Sequence, residues 1–133
     1  MEKVRDQLKV QQERAVLVGA VSQGGNCKPK NNENILQELT ALAESAGAIV
    51  VDQFIQKIRQ INPATYIGSG KAEMLADKVK NKDADVVIFD TDLSPGQIRE
   101  LEKIVKCKVL DRSELILDIF ATRAQTKQAK LQV

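Results

Sequence analysis

Residues 84–102, ADVVIFDTDLSPGQIRELE, decide the fold because they contain a strand and a helix joined by a short turn. The apolar run from Asp85 to Asp90 (DVVIFD) is typical of a strand that is covered on both faces. Ser94, Pro95 and Gln97 then form the pattern of a helix N-terminus, with an N-cap serine, a proline at the first helical position and a capping-box glutamine. The stretch therefore predicts a buried strand followed directly by an amphipathic helix.

The same alternation extends in both directions from this stretch. Further apolar strands are predicted at residues 14–20 (RAVLVGA), 48–51 (AIVV) and 108–110 (KVL), and further helices at 34–46, 71–82 and from 111 onward. Asn34 is the expected N-cap of the first of these helices, and residues 52–61 receive no assignment. Alternating buried strands and helices predict an α/β fold, a small parallel sheet of about four strands flanked by helices on both faces.

Composition excludes several classes of function. The chain has 133 residues, no histidine and two cysteines, so histidine-dependent nucleophile systems and zinc sites with imidazole or four thiolate ligands are ruled out. We assign no chemistry to Cys27 or Cys107, because neither has a neighbour in the sequence that would activate its thiol. No apolar run approaches the roughly 20 residues of a membrane span, and we expect a soluble, cytoplasmic protein without a metal site.

Charge is distributed unevenly along the chain, although the formal net charge is only +2. Residues 56–82 carry six basic and two acidic side chains, whereas residues 83–118 carry five basic and nine acidic ones. Residues 119–133 carry three basic side chains and no acidic one. This distribution fits either a polarised binding surface or ordinary solvated helix faces.

Residues 68–71 (GSGK) are similar to the end of a phosphate-binding loop, in which backbone N–H groups and a lysine hold phosphates. The match is incomplete because Thr65 occupies the leading glycine position and Ala72 the position of the Mg²⁺-binding hydroxyl. A glycine-rich turn before a helix is the favoured interpretation. An autonomous nucleotide-binding domain that uses Gly68 to Lys71 stays open as an alternative.

Residues 89–92 (FDTD) are similar to the start of a haloacid-dehalogenase-type phosphatase, in which two aspartates act as nucleophile and general acid. Asp90 and Asp92 would take these roles here. The strand is the third rather than the first, and Ser94 and Pro95 stand where Gly-Thr is expected. The phosphatase is the second alternative, and the simpler interpretation is a strand end whose aspartates support the following turn.

Three stretches resemble the N-terminal domain of the HflX family of ribosome-associated GTPases. They are PATYIGSGK at 63–71, ADVVIFDTDLSPGQIRELE at 84–102 and VLDRSELILDIFATRAQTKQAKLQV at 109–133, and LQELTALAESAGAIVV at 36–51 fits the same family. The resemblance implies an α/β subdomain over residues 1–111 and the first arm of a helical hairpin over residues 112–133. It also implies that the chain is part of a longer protein, whose GTPase domain, with GTP and Mg²⁺ as cofactors, lies elsewhere.

The resemblance further implies partners and a function. The expected partners are the large ribosomal subunit with its ribosomal RNA and the GTPase domain of the same protein. We expect a module that binds the large subunit and promotes ribosome dissociation under stress, with neither catalysis nor a cofactor of its own. The candidate RNA contacts are Lys57, Arg59, Tyr66 and Lys71, with Arg123, Lys127 and Lys130 as secondary candidates; the alternative role for Tyr66 is to anchor its loop to the core.

Overall fold

The computed structural model describes residues 12–22 and 32–121. The described residues form four strands: β1 (Arg14–Ser22), β2 (Ile49–Ile58), β3 (Val86–Phe89) and β4 (Lys108–Leu110). The helices are α1 (Asn32–Ser45), α2 (Ser69–Asn81), α3 (Pro95–Val105) and α4, which is described over residues 112–121. The α/β fold class and its four-strand sheet are therefore confirmed.

All strand pairs are parallel, and the order across the sheet is β2-β1-β3-β4. Side chains that alternate along β1 enter two separate cores. Val16 and Val18 belong to the core shared with α2 and α3, whereas Ala15 and Leu17 belong to the core shared with α1 and Leu115 of α4. Helices thus cover both faces, and the ends of β1 and β3 lie next to each other where the strand order reverses.

The local capping patterns are confirmed around α3. Gln97 N donates to Ser94 Oγ at 3.1 Å, and Ser94 N donates to Gln97 Oε1 at 2.9 Å, which completes the capping box. Asp111 caps α4 in the same way, because its Oδ1 accepts from Glu114 N at 2.9 Å. These two caps fix the turns that follow β3 and β4.

Two sequence expectations are wrong in position. The first helix begins at Asn32, so Asn34 lies inside it and is not its N-cap. The second strand runs to Ile58 rather than ending near Val51. The part of β2 after Val51 carries the polar residues Asp52, Gln53, Gln56 and Lys57. An edge strand tolerates such residues because one of its sides is open to solvent. None of the described helices has the length and apolar character needed to span a membrane.

Candidate nucleic-acid interface

A shallow depression of about 460 Å³ lies beside the carboxyl end of β2 and the start of α2. It is lined by Lys57, Ile58, Arg59, Gln60, Ile67 and Lys71. Three of these six residues are basic and none is acidic, so the depression carries concentrated positive charge. The structure thus brings together three of the four primary candidates identified from the sequence.

The three basic residues approach the depression from different directions. Lys57 and Arg59 are exposed at the end of β2, whereas Lys71 lies in the first turn of α2 and is half-buried. The Lys71 ammonium donates to the backbone carbonyl of Lys57. An ammonium has three N–H donors, so two remain for an anion after this bond is made.

Helix α2 adds to the positive potential of the depression. Its N-cap is Gly68, which has φ 96° and provides no side-chain cap, and the first turn of this fully described helix contains no acidic residue. The N-terminus of a helix carries a partial positive charge that favours anions. The first turn of α2 therefore adds to the field of Lys57, Arg59 and Lys71.

Tyr66 is placed differently from the basic candidates. Its ring contacts Phe89 of β3 edge-on, with centroids 6.4 Å apart and an angle of 86° between the planes. Its backbone forms an isolated antiparallel bridge with Asn62, with both N–O distances 2.9 Å. This geometry fits the role of loop anchor, and Tyr66 is not among the residues that line the depression.

The turn between β2 and α2 is held by bonds that sequence patterns did not reveal. Asn62 Oδ1 accepts from the backbone N–H groups of Ala64 and Thr65 at 2.8 and 2.9 Å. Gln97 Nε2 donates to the Asn62 carbonyl at 2.9 Å, so the capping glutamine of α3 also secures this turn. The only local signal was Asn62 before Pro63, which is typical of a turn.

The secondary candidates Arg123, Lys127 and Lys130 lie outside the described residues, as does Cys27. Cys107 is described, and its thiol is half-buried. Burial, with a smaller contribution from the carboxylates of Asp85, Glu102 and Glu13, raises the pKa of Cys107 to about 11. Its thiol is therefore protonated at neutral pH.

The aspartates of the phosphatase alternative have structural partners. Asp90 Oδ1 lies 3.8 Å from Arg112 Nη1, and Asp92 Oδ1 accepts from Ser113 Oγ at 2.6 Å. Burial raises the pKa of Asp90, while the charge of Arg112 opposes the shift. Within residues 12–22 and 32–121, no group of three potential ligands is suited to a metal. The geometry gives this alternative no support.

The phosphate-loop similarity also fails in three dimensions. Thr65 is buried, with 4% of its surface exposed, and Ala72 is buried in the core between the sheet and α2. Lys71 directs its ammonium to a backbone carbonyl of β2. The favoured interpretation, a glycine-rich turn before a helix, holds for Gly68, which is the N-cap of α2, whereas residues 69–71 already form the first turn of that helix.

Comparison with known proteins identifies the class of domain. Residues 33–121 match the family described as "GTP-binding GTPase N-terminal". The match covers β2, β3 and β4 and nearly all of the described helices. The α/β unit is therefore a GTPase N-terminal domain.

The relatives identify the family within that class. A protein named GTPase HflX from Lacrimispora saccharolytica is 45% identical over 127 residues, which cover 96% of this chain and 29% of that protein. GTPase HflX from Escherichia coli is 46% identical over 98 residues, covering 74% of this chain and 23% of that protein. The chain belongs to the HflX family of GTPases, as the sequence resemblance indicated, and it spans less than a third of the length of these relatives.

Solved structures share the fold. The crystal structure of a protein named SsGBP in complex with GDP has a TM-score of 0.64 and 24% identity, covering 91% of this chain and 32% of that one. A variant of the same protein, G235P, has a TM-score of 0.63 and 26% identity over 91% of this chain and 36% of that one. The arrangement of strands and helices is therefore also found in experimental structures.

Proposed function

We propose that this chain is the ribosome-binding and RNA-binding N-terminal module of an HflX-type GTPase. In this proposal the module docks on the large ribosomal subunit and contributes to ribosome dissociation under stress in the cytoplasm. GTP hydrolysis, with its Mg²⁺, belongs to another domain of the whole protein, and the module supplies binding without catalysis. Membership of the HflX family supports the GTPase context, and the ribosomal role is our inference.

The observation that carries the proposal is the charge of the depression beside β2. Lys57, Arg59 and Lys71 line it without a carboxylate among the other lining residues. Phosphodiester groups are the most abundant anions on ribosomal RNA, and lysine and arginine bind them without reading sequence. Aromatic residues make up only 3% of the chain, so base stacking contributes little and phosphate contacts dominate.

Salt dependence gives this proposal a quantitative form. Each neutralised phosphate releases condensed counterions, which lowers the logarithm of affinity by about 0.7 to 0.9 per tenfold increase in salt. Three contacts therefore predict a slope of about −2 to −3. Affinity is modest, because a single module lacks the gain that linked binding surfaces provide.

The test measures large-subunit binding across a salt series for the wild-type chain and a Lys57→Glu, Arg59→Glu double variant. Lys71 is left unchanged because its ammonium also bonds to β2. The matched control is Lys80→Glu with Lys106→Glu, which changes two exposed lysines at the other end of the sheet. Circular dichroism and thermal melting establish that all three proteins are folded.

We expect the double variant to bind more weakly and its salt slope to approach zero, since two favourable contacts become repulsive. The control should keep the wild-type slope and most of the affinity. An equal loss of affinity in both variants would show that only net charge matters. An unchanged affinity and salt slope in the double variant would mean that another face binds RNA, and Arg123, Lys127 and Lys130 would be tested next. Either result contradicts the proposed interface.

A further inference from the structure

Strand β2 is ten residues long and lies at the edge of the sheet, where among the described residues it pairs with β1 alone. The opposite edge, β4, has three residues. A long open edge presents unpaired N–H and C=O groups that can pair with another chain. A soluble monomer with such an edge needs a feature that prevents a strand of another chain from pairing with β2.

The pairing pattern identifies which groups of β2 face outward. The carbonyls of Arg14 and Val18 accept from residues that flank β3, so the alternate residues Leu17, Gly19 and Val21 of β1 face β2. These three residues lie opposite Gln53, Ile55 and Lys57 in the parallel register. In a parallel ladder, a β1 residue that faces β2 bonds to the residues before and after its β2 partner, and not to the partner itself. The partners Gln53, Ile55 and Lys57 therefore direct their own N–H and C=O groups away from β1, to the open edge.

Two of these outward groups are already bonded by charged side chains. Asp52 Oδ1 accepts from Gln53 N at 2.7 Å, and the Lys71 ammonium donates to the Lys57 carbonyl. Lys78 of α2 donates to Asp52 Oδ2 at 3.0 Å and holds the carboxylate in place. Asp52 of β2 and Lys71 of α2 thus occupy one outward group at each end of residues 53–57, the outward segment.

The two closed groups are the ones that a second copy of this chain would use. An antiparallel copy related by a twofold axis at Ile55 places each Ile55 opposite the other and each Gln53 opposite the partner's Lys57. In that register the Gln53 N–H would donate to the carbonyl of the partner's Lys57. The Asp52 and Lys71 bonds occupy this donor and this acceptor, once in each copy.

We propose that Asp52 and Lys71 are edge caps that prevent β2 from pairing with a second copy of this chain. The proposal is independent of RNA binding, although Lys71 belongs to both accounts. In each copy the N–H and C=O of Ile55, the Gln53 carbonyl and the Lys57 N–H stay open, and we expect these groups alone to give only weak association while the caps are in place. With both caps removed, the twofold register becomes available over the whole segment.

The test compares the wild type with the double variant Asp52→Ala, Lys71→Met by sedimentation velocity over a concentration series. The control is Asp77→Ala with Lys80→Met, which makes the same two changes at exposed positions of α2. We expect the wild type and the control to be monomers. The dissociation constant of the dimer should be about a hundredfold lower for the double variant than for the wild type, because each copy regains one donor and one acceptor for the interface.

A third variant adds Lys57→Pro to the double variant. Proline removes the outward N–H of Lys57 without breaking the ladder to β1, so the triple variant should return to a monomer. Hydrogen exchange at the Ile55 amide should be slow in the double-variant dimer and fast in the other proteins. The proposal is overturned if the folded double variant stays monomeric, if the control associates equally, if the wild type already pairs through β2, or if Lys57→Pro leaves the dimer intact.

Discussion

Asp111 joins two turns through one buried carboxylate. Its Oδ1 caps α4 at Glu114 N, and its Oδ2 accepts from Leu93 N at 3.0 Å, with 5% of the residue exposed. The turn after β3 and the start of α4 are therefore positioned by a single side chain. The capping spacing predicted the first bond, and the second depends on a contact 18 residues away in sequence.

Removal of this carboxylate should destabilise the whole domain. Asp111→Ala leaves two backbone donors without a partner, and the expected loss is about 2 to 3 kcal/mol in the free energy of unfolding. Urea denaturation measures it. The control Asp92→Ala loses one exposed bond to Ser113 and should cost less than about 0.5 kcal/mol. Equal losses in the two variants would contradict the dual role of Asp111.

The raised pKa of Cys107 predicts slow alkylation with a steep pH dependence. A Cys27→Ser background leaves Cys107 as the one thiol of the chain. With a pKa of about 11, the thiolate fraction at pH 8 is about a hundredfold below that of a thiol with the ordinary value of 9.0. The rate with iodoacetamide should rise about tenfold per pH unit between pH 7 and 9.5, and unfolding in urea should remove the difference. If the alkylation rate of the folded protein reached a plateau near pH 9, burial would not raise the pKa of the Cys107 thiol.

At the scale of elements, α2 is important because its first turn lies beside the basic depression. Gly68 leaves the helix without a side-chain cap, and no acidic residue follows in the first turn. Addition of an acid here should favour the helix and oppose an anion bound nearby. Stability and RNA binding should therefore change in opposite directions.

The substitution Ser69→Asp tests this opposition at an exposed position of the first turn. We expect the free energy of unfolding to rise by about 0.3 to 1 kcal/mol, while affinity for the large subunit falls. The uncharged control is Ser69→Asn, which should leave affinity close to that of the wild type. If the Ser69→Asp protein is more stable and still binds RNA as well as the wild type, α2 is not part of the interface.

The elements also show how far the sequence could predict the structure. The caps at Ser94 and Asp111 and the short strand β4 were predictable, because capping bonds and apolar runs are local. The length of β2 could not be predicted, because the polar residues of its second half follow neither the alternation of a strand nor the repeat of a helix. They are held in the strand by pairing with β1 and by Lys78 of α2. The bond from Lys71 to β2 and the tie from Gln97 to Asn62 join residues far apart in sequence.

For the molecule as a whole, the structure separates a basic depression at one end of the sheet from a second groove at the other. That groove, of about 570 Å³, is lined by Asp77, Asp83 and Asp85 together with Lys80 and Lys106. Its mixed charge contrasts with the purely basic lining beside β2. The electrostatic asymmetry seen along the sequence is thus partly preserved in space, and it orients the proposed RNA-binding face.

The whole chain should not bind GTP tightly. Lys71 is directed to β2, and Ala72 supplies no hydroxyl for Mg²⁺, so the segment 68–71 forms no complete phosphate cradle. Calorimetric titration with GTP and Mg²⁺ should show no saturable binding at micromolar concentrations. A micromolar dissociation constant that Lys71→Ala abolishes would restore the nucleotide-binding alternative.

The most direct measurement of the central claim is site-specific photocrosslinking to the large ribosomal subunit. A photoreactive amino acid replaces Gln60, which is exposed beside Arg59 in the depression, and in a second protein it replaces Lys80 at the other end of the sheet. The account predicts crosslinks to ribosomal RNA from position 60, weakened by high salt, and few from position 80. Crosslinks to RNA from position 80 with none from position 60 would contradict it.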